Sequence, residues 1–282
     1  MSLISSDIYA KPVLGVRKED CHFYHTMDLP GVGRVQGAWE LSNVLDKYLG
    51  GVDFKGKRVL EIGTASGFLC WQMEQAGADV VSFDLGGQCL PDNLIPGTWD
   101  RNEYLASERD FKRKLNNSYW LCHEKAGLKA NMLYGTVYDV PAEIGQVDIS
   151  TLCAILLHLR DPFLALMNVA RLTKERLIIT EPLWTRKRYF AAKWINNIIR
   201  ILTPKSKCNT KWSCPVSIIQ MSDQQQHSWW LLPPDAIRNY ISVLGFNVEK
   251  IIFHYQKLAG KGNKLMYTLV GKRVSEGMKS LR

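Results

Sequence analysis

No stretch of the sequence approaches the roughly 18–20 consecutive apolar residues of a membrane-spanning helix, so no segment reads as one. The first twenty residues hold no apolar core of a secretory leader, and none is expected. No CxxC pair occurs. The seven cysteines are scattered, with Cys208 and Cys214 the closest two, so neither a zinc site nor a disulfide framework is indicated. Reduced thiols and a cytoplasmic location are the expectation. Cys21, His22 and His25 cluster, but no second ligand pair has matching spacing, and no metal is expected. Internal repeats and low-complexity tracts are also missing.

Acidic residues are outnumbered. The formal charge is +9 and the isoelectric point about 9.1. Residues 186–211 carry eight of the basic residues and no acid. A localised positive charge favours anionic partners, so RNA or an anionic membrane surface is open for this segment, with peripheral membrane contact as one consequence. Phe190, Trp194, Ile198 and Ile201 recur near helical spacing there, opposite Arg186, Lys193 and Arg200, which fits a lid or an interfacial helix.

What is present is a chain of 282 residues, 46% of them hydrophobic, enough for a sizeable core. Apolar runs alternate with amphipathic ones. Strands are expected at 57–62, 78–85, 131 onward, 147–156 and 176–182. Helices are expected at 67–76, 111–126 and 162–172, the last opened by Asp161-Pro162. A helix over 234–244 and two strands near 247–256 and 264–272 close the chain. The alternation implies an α/β fold with a doubly wound, mostly parallel sheet, whose ligands sit beyond the C-terminal strand ends. The organisation expected is an N-terminal extension or lid (1–50), a cofactor-binding core (51–183), a basic, Trp-containing insertion (184–233) and a C-terminal helix and hairpin completing the sheet (234–282).

The stretch "VLEIGTASGFLCWQ" (59–72) is a strand, a tight turn and the start of a helix. Its spacing is not the GxGxxG of a dinucleotide loop, and Glu61 would repel a pyrophosphate. Glu61 would attract a ligand carrying an ammonium and a sulfonium, as S-adenosyl-L-methionine does. Gly63, Thr64, Ala65 and Gly67 are small or compact and admit close approach. Asp84 ends the second strand, where it can accept ribose hydroxyls, with Leu85 beside it. Thr136 and Val137 follow the third strand, near the adenine, and Cys153 ends the fourth.

"KRVLEIGTASGF" with "ADVVSFD" resembles the first two motifs of the class I S-adenosylmethionine-dependent methyltransferases. Ala65 stands where many members have a second glycine. "FYHTMDLPGVGRVQGAW", "CAILLHLRDPFLALMNVARLT" and "WWLLPPDAIRNYISVLGF" resemble a subgroup that contains the tRNA wobble-uridine carboxymethyltransferase and bacterial relatives. The resemblance implies a seven-stranded Rossmann-like sheet with its last hairpin strand antiparallel. Leu157 replaces the tyrosine before the histidine of that subgroup, which favours ordinary methyl transfer over carboxymethyl transfer.

Methyl transfer to a hydroxyl or amine needs a route for a proton, and a positioned base contributes about 10²–10⁴ in rate. His158, just past the fourth strand, is the candidate base. His25, Trp39, His227, Trp229 and Trp230 are candidates for the acceptor pocket. The reading is a methyltransferase acting on an O or N nucleophile of a small molecule or a lipid- or phosphate-linked metabolite. An RNA-modifying enzyme, tRNA included, and a non-catalytic cofactor-binding protein are the alternatives.

Overall fold

The computed structural model describes residues 8–87, 89–93, 95, 98–183, 228–260 and 262–277, with positions 191, 194, 220 and 221 besides. His227 and nearly all of the basic segment 186–211 therefore lie outside the described residues, as do the expectations of a lid or an interfacial helix there.

The segment before the first motif forms three short strands, β1 (Met27–Leu29), β2 (Gly33–Val35) and β3 (Trp39–Glu40), and a single turn, α1 (Leu45–Tyr48). Then come β4 (Arg58–Ile62), α2 (Phe68–Gln75), β5 (Asp79–Asp84), α3 (Arg101–Ala126), β6 (Asn131–Tyr134), β7 (Val147–Cys153), α4 (Pro162–Ala170) and β8 (Thr173–Pro182). The short strands β9 (Gln220–Met221) and β10 (Trp230–Leu231) pair with each other. The helix α5 (Pro234–Val243) leads into the long hairpin β11 (Phe246–Leu258) and β12 (Gly262–Arg273).

The sheet order is β3-β11-β12-β8-β7-β4-β5-β6. β8, β7, β4, β5 and β6 run parallel, and β12 enters antiparallel to β8. This is the doubly wound, mostly parallel sheet that the alternation implied. It has eight strands rather than seven, because the N-terminal segment adds β3 at the edge, where Lys257 pairs with Glu40 and Leu258 with Trp39. Two residues of pairing are too few to leave a periodic signal in sequence.

Right-handed crossovers place successive helices by the direction of travel across the sheet. Alternation then divides each central strand between two cores. On β4, Leu60 and Ile62 join the core that holds Val169 of α4 and Ile237 and Ile241 of α5. Val59 joins the core that holds Phe68, Leu69 and Met73 of α2, with Met27, Leu41 and Tyr48 from the N-terminal segment. Glu61 points to that second side without an apolar partner's excuse for being buried.

Helix ends follow their caps. Asp161 accepts from the Leu164 N–H at 2.9 Å, ahead of Pro162. α3 starts ten residues before the expected 111, because Asp100 accepts from the N–H groups of Asn102 and Glu103 and opens an exposed, highly charged first half. The charge hides the apolar period there. The N-terminal segment is tied to this helix by Ser118, which donates to the His22 carbonyl at 2.7 Å, and by Asn117, which donates to that of Asp20 at 2.9 Å.

Candidate functional site

The turn after β4 lies at the C-terminal edge of the sheet. The Gly63 N–H continues the pairing with β5 by donating to the Phe83 carbonyl at 2.7 Å. Gly63 has φ +78°, and a Cβ there would lie 2.1 Å from Ile155 Cδ1. The space its missing side chain leaves is thus filled by Ile155 rather than kept for a ligand. Ala65 has φ +51°, a left-handed conformation that favours glycine. Gly67, at φ +81°, caps α2 and packs against Tyr119 and Cys122 of α3.

Glu61 is 1% exposed. Ser82 Oγ donates to its Oε2 at 3.4 Å, and its Oε1 has no hydrogen-bond partner. Burial, with the charge of Asp84 adding to it, raises its pKa to about 7. The buried Thr64 hydroxyl and the Cys70 N–H act the other way and lower it, though neither closes a hydrogen bond on Oε1. A cation brought to Oε1 would relieve both the unmet acceptor and the cost of the charge.

Asp84 is already engaged. Oδ2 accepts from the Ala65 N–H at 2.8 Å, and Oδ1 accepts from the Leu85 N–H at 2.7 Å and from Lys112 Nζ at 3.1 Å. An ionised carboxylate offers about four acceptor sites. Two ribose hydroxyls would therefore displace Lys112, a residue of α3 that sequence reasoning passed over. Beyond β6, Thr136 is half-buried and accepts from the Tyr138 N–H at 3.4 Å. Val137 is packed into the core, and Asn168 donates to its carbonyl at 3.2 Å.

Cys153 ends β7, half-buried, its thiol pushed well up by burial and by the carboxyls of Glu61 and Glu181. A 3-10 turn, Leu156–His158, follows and places His158 half-buried at the sheet edge. This turn is anchored by Glu181, in the last part of β8. Glu181 is fully buried, and its Oε1 accepts from the Leu156 N–H at 2.8 Å. Its Oε2 has no hydrogen-bond partner. Burial raises its pKa to about 8, against the N–H groups of residues 155–157. The signal was available in "LIITEP", a lone acid at the end of an apolar strand, which is also the signal of Glu61 in "VLEIG".

The acceptor candidates fall into two groups. His25 is 5% exposed, its Nδ1 without a partner, and burial lowers its pKa to about 3, so the ring is neutral. Its N–H donates to Ser66 Oγ at 3.3 Å and its ring packs on Phe68, which sets it against the first-motif turn. The Trp39 N–H donates to the Tyr24 carbonyl at 3.0 Å, and the Tyr24 and His25 rings meet edge-on at 5.1 Å. Trp229 and Trp230 stand apart from these. Their indole N–H groups donate to the carbonyls of Asp92 and Leu159, each at 2.8 Å, and Arg160 lies over the Trp229 ring. The Trp229 N–H donates to the Leu157 carbonyl at 2.7 Å. Turn 156–158 is thus held by Glu181 and by Trp229. Asp92 also accepts from the Tyr138 hydroxyl and, at 3.0 Å, from the Arg160 N–H.

Among the described residues no group of three or more His, Cys, Asp or Glu is placed to hold a metal ion. No helix among them is long and apolar enough to cross a membrane.

No family model and no curated protein sequence matches the chain. Solved structures do. A provisionally assigned methyltransferase of Bacillus halodurans is similar at a TM-score of 0.51 and 12% identity, over 83% of this chain and all of that one (100%). Magnesium protoporphyrin IX methyltransferase of Synechocystis, with bound SAH, is similar at 0.49 and 13% identity, over 83% of this chain and 82% of its own. At such identity the likeness to the Bacillus protein establishes the fold. The chain has the Rossmann-like, doubly wound fold that the sequence resemblance implied, with β3 added.

Proposed function

We propose that this chain is an S-adenosylmethionine-dependent methyltransferase that acts on an O or N nucleophile of a small molecule or a lipid- or phosphate-linked metabolite. The observation that carries the reading is the unsatisfied, buried Oε1 of Glu61 beside the left-handed turn at the end of β4. That position, next to the end of β5, is where a doubly wound sheet binds its ligand. The residues fit the cofactor in parts. Glu61 suits its ammonium, the 63–67 turn its amino acid portion, and Asp84 its ribose once Lys112 withdraws. When bound, the cofactor supplies a methyl group on a positively charged sulfur, which a nucleophile in line with it can take. Residues 1–50 would cover the acceptor side through His25 and Trp39. His158, on the anchored turn, would take the acceptor's proton, since imidazole is the side chain suited to base work near neutrality.

The test is calorimetry with S-adenosylmethionine and S-adenosylhomocysteine, followed by a screen of metabolite and RNA pools for transfer of labelled methyl. Saturable binding of both, with label entering an acceptor, is expected. A folded chain that binds neither ends the reading.

A further inference from the structure

Glu181 is the buried carboxyl that the assigned cofactor contacts leave over. Burying a carboxylate is costly unless a partner meets it. One of its oxygens is spent on the Leu156 N–H, and the other meets nothing. Tyr267, its pair on β12, shares its face of the sheet, in the core against which Trp230 packs. Aromatic faces attract cations as carboxylates do. Lys264 of β12 is also within reach, but its ammonium does not bond Oε2.

Sheet geometry fixes the relation to Glu61. Strands β4, β7 and β8 are adjacent, with Glu61 level with Thr151 and Thr151 level with Ile178. Glu181 therefore lies two strands across and three residues further along, on the order of 14 Å between backbones. Three residues is an odd number, so Glu181 faces the other side of the sheet from Glu61. It stands beneath the turn that carries His158, on the side of Tyr267 and Trp230.

We propose that Glu181 Oε2 binds a protonated amine, and that the methyl acceptor is therefore a primary or secondary amine rather than an alcohol or a carboxylic acid. The inference rests on the methyltransferase reading and names its substrate class. Burial holds Glu181 towards its neutral form, and only a cation opposite it favours the ionised carboxylate and gains a charge-assisted bond; an alcohol or a carboxylic acid brings no such charge. In the reaction the ammonium loses one proton to His158. The nitrogen lone pair then forms the N–C bond as the S–C bond breaks, and that bond's electron pair stays on sulfur. The product is again an ammonium, so Glu181 keeps a cation opposite it before and after transfer.

The experiment uses the full chain and three probes of one shape: benzylammonium, benzyl alcohol and benzoate. Each is titrated by tryptophan fluorescence and thermal shift, in the presence of S-adenosylhomocysteine and in its absence. Saturable binding of benzylammonium alone is expected, and Glu181→Gln should weaken it at least about tenfold, as for loss of a charge-assisted hydrogen bond. Gln keeps an oxygen for the Leu156 N–H, and its melting transition reports whether the turn survives. Labelled methyl should enter amines and not matched alcohols. Equal binding of benzyl alcohol, no saturable amine binding, or undiminished binding in a folded Glu181→Gln protein overturns the proposal. Calorimetry of S-adenosylmethionine on both proteins is read separately. Its failure removes the methyltransferase reading, whereas the probe titrations still decide whether Glu181 binds an amine.

Discussion

Glu61 and Glu181 are alike in nearly every local respect. Each is a carboxyl near the end of an apolar parallel strand, each is essentially unexposed, and each has one oxygen bonded and one without a partner. They differ in what surrounds them. Glu61 faces a glycine turn, Asp84 and the start of α2, all drawn from one continuous β-α-β unit. Glu181 faces the turn after β7 and the side of the sheet that holds Tyr267 of β12, elements far apart in sequence. The first carboxyl belongs to a local motif, and the second to a site that exists only once β12 of the C-terminal hairpin has joined β8. On the proposed reading, the difference gives one to the cofactor and the other to the acceptor.

That division is broken most directly at His158, which stands on the acceptor side. His158→Ala should lower kcat on the order of 10²-fold or more while leaving the cofactor Kd unchanged. Steady-state kinetics beside calorimetry measures both. A loss of cofactor affinity as large as the loss of turnover would merge the two sites into one.

On the cofactor side, Asp84→Ala should weaken S-adenosylmethionine binding by about 1.5–3 kcal/mol, the range for hydrogen bonds to a charged group. Glu61→Gln should cost a similar amount, and neither should alter benzylammonium binding. Unchanged cofactor affinity in a folded Asp84→Ala protein would sink the ribose assignment.

Much of the structure around the proposed cofactor side was legible in sequence because its elements are consecutive. Strand, turn and helix at 58–75, and the carboxylate that ends the next strand, each announce themselves within a few residues. Ala65, at φ +51°, occupies a left-handed conformation that favours glycine. The sequence could not show Lys112 on Asp84, since that pair joins residues 28 apart through a helix whose first half is masked by charge. It could not show that Ile155 would fill the space at Gly63. Trp39 and Trp229 read alike as aromatics, yet one packs by Tyr24 and the other clasps Asp92 and Leu157. Only tertiary pairing separates them.

A smaller effect is expected at Lys112, whose side chain is 16% exposed and bonds Asp84 in the ligand-free chain. Ribose binding has to break that pair. Lys112→Met should therefore tighten S-adenosylmethionine about fivefold, the worth of an ion pair of ~1 kcal/mol, and lower the melting temperature of the free protein. Weaker binding would show instead that Lys112 touches the cofactor itself.

The last effect is a pH dependence of stability, and it reads the two carboxyls together. Burial raises the folded-state pKa of Glu61 to about 7 and that of Glu181 to about 8. An acid that holds its proton more tightly when folded stabilises fully below its unfolded pKa of about 4.3, and that contribution is lost as pH rises through the folded value. Burial acts oppositely on histidine, lowering His25 to about 3 and His254 to about 4. Their contribution is present above the unfolded value of about 6.5 and is lost as pH falls through the folded ones. The two trends oppose each other in between. The ligand-free chain should melt at a nearly constant temperature from about pH 4.5 to 6.5, then lose a few degrees between about pH 6.5 and 8. Saturating S-adenosylmethionine should remove the part of that alkaline fall due to Glu61 and leave the part due to Glu181, which Glu181→Gln should then abolish. Melting curves across this range, with and without the cofactor, measure it. An alkaline fall that persists unchanged when both acids are replaced by glutamine would mean that neither carboxyl is held protonated by its site, and the likeness between them would end at their burial.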